Sequence, residues 1–196
     1  MALTSYYTEE ELQSLGLKSV GKDVRLSRKA SLYGIGNISI GDHVRIDDFC
    51  ILSGNITIGN YVHVNPFTGI YAGTAGVILD DFANLSSRIT IYAVSDDYSG
   101  EYMTSPLLPS EVTNINTAPV YVGKHVIIGT SSCILPGVSI GEGCAVGAMS
   151  LVKCSLEEWG IYAGIPCRRI KDRSKNLLQY VKDEYQAVSK HCLLDI

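Results

Sequence analysis

From Val122 onward the chain repeats every six residues. Val122, Ile128, Ile134, Ile140, Val146 and Val152 are aliphatic, and four residues after each of the first five stand Val126, Ser132, Val138, Cys144 and Ser150. A half-buried strand alternates with period two and an amphipathic helix recurs at three and four, so neither describes the pattern. A hexapeptide period predicts a parallel β-helix, in which each hexad is one short strand plus a corner and three hexads close one triangular coil. The aliphatic position fills the axis. The small position also faces inward, near a corner where a large side chain has no room, and Gly123, Gly129, Gly141 and Gly147 relax the backbone beside it.

Taken in order, Thr8 to Leu15 predicts a short helix that lids the first coil, with Thr8 as N-cap, Glu11 closing a capping box and Gly16 ending it. The repeat starts at Val20 and passes through Leu26 and Leu32, with Val24, Ala30 and Gly36 at the small position, and resets at Asn37. Ile40, Ile46, Leu52, Ile58, Val64 and Ile70 follow in phase, with Val44, Cys50, Ile56, Val62 and Thr68 between them. The interval from Ile40 to Ile58 equals that from Val122 to Ile140, so these coils should stack in register. The phase breaks over 72–76. The hexads should resume at Ile78 and slip again near Asp80 and Asp81, because Leu85, Ile89 and Ile91 fit inside one residue late.

The polar stretch 95–118, with Pro106 and Pro109, carries no repeat before Val120 restores it. A loop of that length inside a compact repeat is costly to order, which makes it the first place to look for a site. Beyond Val152, 154–160 is turn-rich, Ile161 to Ile170 holds a Gly-x-Pro bend, and Leu177, Leu178, Val181, Tyr185 and Val188 recur at helical spacing. The predicted organisation is one domain over 1–196: a helix at 8–16, a β-helix over 20–153 with an inserted loop at 95–119, and a C-terminal helix over 172–190.

Composition narrows the classes. With 196 residues and 46% apolar side chains, one domain can bury a sizeable core. A net charge of -4 without a basic cluster argues against a nucleic-acid partner, and the apolar runs are too short to span a bilayer. Met1 to Tyr7 lacks the regions of a signal peptide, so a cytoplasmic location is expected. The six cysteines show no CxxC spacing, and Cys50 and Cys144 fall at the small inward position, where core packing accounts for them.

Gly129 to Arg173, IGTSSCILPGVSIGEGCAVGAMSLVKCSLEEWGIYAGIPCRRIKDR beginning one residue earlier at Ile128, resembles the C-terminal half of the hexapeptide-repeat acyltransferases. It shares their IG and PGV hexads, VGA-x-S, exit turn and G-x-P-x-R-x-I tail, and is most similar to the galactoside, maltose and surface-polysaccharide branch. The resemblance covers most of Val20 to Arg173. It implies a left-handed parallel β-helix, a homotrimer and acetyl-CoA bound between two subunits, with acetyl transfer to a sugar hydroxyl or amine in surface-polysaccharide or nucleotide-sugar metabolism. By motif position, Thr130 and Ala148 are implied to offer backbone groups to the pantetheine arm, and Arg168, Arg169, Lys171 and Arg173 to meet the CoA phosphates.

An alcohol must lose a proton as it attacks a thioester, so a positioned base is needed. In galactoside-type enzymes a His serves from the inter-coil loop, but 95–118 contains none. His63, one residue past inward Val62, should point out from the coil, and Gly59 to Pro66 resembles the G-x-x-V-H-I-x-P element of the sialic-acid and bacillosamine-pathway N-acetyltransferases, where such a His contributes to the site. Asn65 of that element is assigned to the substrate. Asp96 and Asp97 occupy the loop slot nearest the usual His and can act as base or hold an amino group, with Tyr98 and Glu101 beside them lining the acceptor pocket. The missing loop His favours an amino sugar, possibly nucleotide-linked, over a plain hydroxyl sugar. Two rivals stand. A γ-carbonic-anhydrase-like site needs closely spaced His, whereas His43, His63, His125 and His191 are scattered, so no metal is expected. A non-catalytic scaffold would need neither the long loop nor GIPCRRI.

Overall fold

A computed structural model describes residues 5–181. Short parallel strands stack into three faces. The first holds Ser19–Val20, Ile38–Ile40, the end of Ile51–Ile58, the end of Gly69–Leu79, Val120–Val122 and Ser139–Ile140. The second runs Arg25–Leu26, Arg45–Ile46, His63–Val64, Asn84–Leu85, Ile127–Ile128, Ala145–Val146 and Gly160–Ala163. The third runs Ser31–Tyr33, the starts of Ile51–Ile58 and Gly69–Leu79, then Thr90–Tyr92, Cys133–Ile134 and Leu151–Val152. The registers Ile40 with Ile58 and Val122 with Ile140 are those the six-residue period requires.

The axis is filled by single columns of side chains. Leu26, Ile46, Val64, Leu85 and Ile128 are fully buried on the second face, and Leu52, Ile70, Ile91 and Ile134 on the third. Burying each such aliphatic side chain contributes about 2 kcal/mol, so the stack is stable because it is continuous. Val44, Cys50, Val62, Thr68, Ser132 and Ser150 occupy the small inward position as expected, and the Cys50 thiol, 3.2 Å from the Asn65 carbonyl, is pushed up to about 11, first by burial. Corner residues sit in the left-handed region, among them His43, Tyr61, Phe82 and His125 between the first and second faces, where the rings stack at 4.6, 5.1 and 4.8 Å. Stacking between coils offsets the cost that this conformation imposes on a residue with a Cβ.

The N-terminal helix forms as predicted. Glu9–Ser14 is capped by Thr8, Glu11 completes the box, Gly16 takes φ +83°, and Leu12 buries itself against the first coil. The reset at Asn37 is a 3-10 turn, Ile35–Asn37. Two expectations are corrected. Ile78 points outward at 46% exposure while Val77 and Leu79 are buried, so the phase has already moved within 72–76 and Leu79, Leu85 and Ile91 run on without a second slip. At the other end, Arg168–Asp172 is a strand antiparallel to Gly160–Ala163, because the Gly164 to Pro166 bend folds the chain back onto the last coil. The helix expected from Asp172 begins only at 178, and Tyr185, Val188, His191 and the rest of 182–196 lie outside the described residues.

Candidate active site

The loop leaves the third face after Thr90–Tyr92, returns at Val120, and is pinned at its root by an antiparallel pair, Val94 with Thr117 and Ser95 with Asn116. Beneath it opens a cleft of about 810 Å³. Its walls are the outward residues of the third face and the coil corner beyond, Tyr92, Cys133, Leu135 and Pro136, and its rim is Asp96, Asp97 and Tyr98 from the loop. Asn114 and Asn116 add amide groups, and Lys153 stands on the wall.

The two aspartates differ. Asp97 Oδ2 accepts from Ser99 Oγ at 2.7 Å and from the N–H groups of Ser99 and Gly100 at 3.0 and 3.1 Å. The Ser99 side-chain bond first, then the backbone bonds, hold its carboxyl below the usual carboxylate range, and the same bonds clasp the loop. The Asp96 carboxylate has no ion-pair partner among the described residues and is exposed to the cleft. Tyr98 borders the cleft and is 93% exposed. Glu101 is exposed and does not line it.

His63 lies elsewhere. It projects from the second face, with Nε2 2.8 Å from Asp47 Oδ2 and Nδ1 3.3 Å from Asn65 Nδ2. Asp47, nearly buried, also accepts from Tyr6 at 2.9 Å and from Arg45 Nε at 2.7 Å. Both ring nitrogens are therefore engaged, and within one chain His63 and Asn65 do not meet the loop aspartates. Of the two arrangements the sequence allows, His63 beside the loop of its own chain or beside the loop of a neighbouring chain, the first does not form, because His63 stands on the second face and the loop springs from the third.

Thr130 and Ala148 stack at the corner between the second and third faces, joined by the Met149 N–H to the Thr130 carbonyl at 2.8 Å. Thr130 Oγ1 donates to the Ser87 carbonyl one coil earlier at 2.6 Å, so Ser87, Thr130 and Ala148 form a line along the axis. Of the tail cations, Arg173 is half-buried and donates through Nη1 to the carbonyls of His125, Gly143 and Cys144 at 2.8, 3.0 and 3.1 Å. Arg169 is bound to the Tyr162 hydroxyl and to Asp172, each at 2.8 Å. Arg168 and Lys171 are exposed and without an ion pair among the described residues. Lys153 was not singled out from the sequence. Its place just past inward Val152 makes it outward-facing, but nothing local says that the loop overhangs it.

The family described as bacterial transferase hexapeptide (six repeats) matches residues 37–72. A dTDP-4-amino-4,6-dideoxy-D-glucose acyltransferase of Escherichia coli is 48% identical over 178 residues, covering 89% of this chain and 92% of that protein. The chain belongs to the hexapeptide-repeat acyltransferases. It is accordingly a left-handed parallel β-helix and a CoA-dependent acyltransferase. The acyltransferase fold superimposes on that of AntD, an N-acyltransferase from Bacillus cereus solved with dTDP and 3-hydroxybutyryl-CoA, with a TM-score of 0.93 at 49% identity, over 95% of this chain and all of that one. Galactoside O-acetyltransferase of Escherichia coli K12 is 40% identical over a shorter stretch, 33% of this chain and 32% of that enzyme. No group of three or more His, Cys, Asp or Glu able to hold a metal occurs among the described residues, and none of their helices is long and apolar enough to cross a membrane.

Proposed function

We propose that this acyltransferase acylates the amino group of a nucleotide-linked amino sugar of the dTDP-4-amino-4,6-dideoxyglucose kind, in nucleotide-sugar metabolism that feeds surface polysaccharides, and works in the cytoplasm as a homotrimer with sites between subunits. The observation that carries the acceptor is the cleft itself, which presents a free Asp96 carboxylate and no imidazole. A carboxylate attracts and orients an ammonium, whereas a hydroxyl needs a base such as the imidazole that the cleft lining lacks.

In this reading Asp96 holds the amine, Asp97 shapes the loop that carries it, and Asn114 and Asn116 offer hydrogen bonds to the sugar. The pantetheine arm follows Ala148 and Thr130 toward Ser87, and Arg168 and Lys171 face the CoA phosphates. The bound ammonium first gives one proton to solvent, the resulting neutral amine attacks the thioester carbonyl, the C–N bond forms as the C–S bond breaks, and the second proton lost by nitrogen leaves with the CoA thiol. His63 is not assigned the base, since Asp47 and Asn65 occupy its ring. Two observations support an interface. Ser87 and Asp96 lie at opposite ends of the strand Thr90–Tyr92, so a second subunit's loop is the natural means of bringing a carboxylate to the Ser87 corner. The loop also bears exposed apolar side chains, Leu107, Met103 and Ile115, suited to a neighbouring chain. The solved AntD variants alter one serine and one aspartate ten positions apart, a spacing that this chain repeats in Ser86 with Asp96 and in Ser87 with Asp97.

The test is thiol release from acetyl-CoA and 3-hydroxybutyryl-CoA with a dTDP-4-amino sugar beside its hydroxyl analogue. Turnover of the amine and not of the hydroxyl is expected; the reverse preference would overturn the reading.

A further inference from the structure

The corner that carries Ala148, Thr130 and Ser87 continues toward the N-terminus into a different surface. One and two coils before Arg88, the same left-handed corner position holds Phe67 and Phe49, with φ +63° and +61°. Their rings stack at 5.1 Å and are 54% and 50% exposed, so they form one contiguous apolar strip at the surface. A cation covers each end of the pair, the Arg88 guanidinium 5.9 Å from the Phe67 ring and Lys29 Nζ 5.5 Å from the Phe49 ring. Lys29 is paired with Asp48 at 2.8 Å, whereas exposed Arg88 has no carboxylate partner among the described residues.

We infer that this ladder, Phe49 and Phe67 between Lys29 and Arg88, receives the nucleoside diphosphate half of the acceptor, so that both substrates lie along one corner and meet end to end at Ser87. The inference rests on the nucleotide-linked acceptor proposed above and adds where its nucleotide sits. The open edges of the two stacked rings give a nucleobase an apolar surface to pack against, and an arginine with no carboxylate to satisfy it is suited to bidentate contact with a phosphate. The span agrees: successive coils are about 4.8 Å apart, so Arg88 to Phe49 covers about 10 Å, the length over which a diphosphate and its nucleoside extend. Charge agrees as well, because the ladder offers two cations against the single carboxylate of Asp48, while the loop cleft offers two carboxylates against Lys153. One end of the acceptor is anionic and the other cationic. The four side chains come from the inter-coil corners, which the β-helix repeats at fixed spacing, so the platform is rigid and needs no ordering on binding.

Equilibrium dialysis of dTDP and, separately, of CoA tests this with the wild type, Phe67→Leu, Arg88→Gln and the double variant, with light scattering to report assembly. Retained assembly and CoA affinity, with dTDP affinity reduced about tenfold in each single variant and further in the double, is the expected result. Unchanged dTDP affinity overturns the assignment, as does loss of assembly with dTDP affinity intact, which makes the ladder a contact between copies. If the wild type binds CoA but not dTDP, the nucleotide-linked acceptor itself is wrong, and the ladder falls with it.

Discussion

His63 Nε2 and Asp47 Oδ2 lie 2.8 Å apart on the second face, and Asp47 gathers Tyr6 and Arg45 as well. Burial pushes the Asp47 carboxyl up, but the bonds from His63, Arg45 and Tyr6 outweigh it and hold the group below the usual carboxylate range. A carboxyl lowered in the folded state contributes stability that is present above its unfolded value of about 4 and lost as pH falls through the folded one.

The first prediction follows from that sign. Thermal unfolding followed from pH 7 down to 2 should show the wild type losing stability below about pH 4, and Asp47→Asn showing a flatter acid limb. At pH 7 the variant should be less stable by about 2 kcal/mol, since it leaves Arg45 and His63 without their shared anion. An unchanged acid limb in Asp47→Asn would refute the contact's contribution.

The two loop aspartates should separate by experiment. Asp96→Asn is expected to lower kcat/KM for the amino acceptor about 100-fold without moving the melting temperature, because its carboxylate faces the cleft and braces nothing. Asp97→Asn breaks the clasp on Ser99 and Gly100 and should raise proteolytic nicking of the loop along with the loss of activity. Equal loop protection in the two variants would contradict this division.

Among the tail cations the expected effects also divide. Arg173→Ala removes three bonds to backbone carbonyls at the corner of the last coils and should cost about 2 kcal/mol of stability. Arg168→Ala with Lys171→Ala should leave stability unchanged within about 0.5 kcal/mol, raise KM for the acyl-CoA and flatten its salt dependence. A KM effect confined to Arg173→Ala would reverse the assignment of phosphate contacts.

The sequence by itself determined the architecture, because the six-residue period acts within each coil. Leu26, Ile46, Val64, Ile70, Ile128 and Ile140 are inside for reasons visible in their immediate neighbours, and Thr8 with Glu11 specifies the cap through four consecutive residues. The Gly164 to Pro166 bend was legible too, although the strand that follows it was not: Arg168–Asp172 has no local β signal and is extended because it pairs with the last coil. Candidate chemistry was legible as residue types, and the loop with Asp96, Asp97 and Tyr98 does border the cleft. Their neighbours were decided only by the tertiary fold. Lys153 reaches that cleft because the insertion at 95–119 overhangs it, while Asp47 reaches His63 and Phe67 stacks on Phe49 through contacts between neighbouring coils. A periodic pattern fixes whether a side chain points in or out; the accumulated length of the turns before it fixes what it meets there.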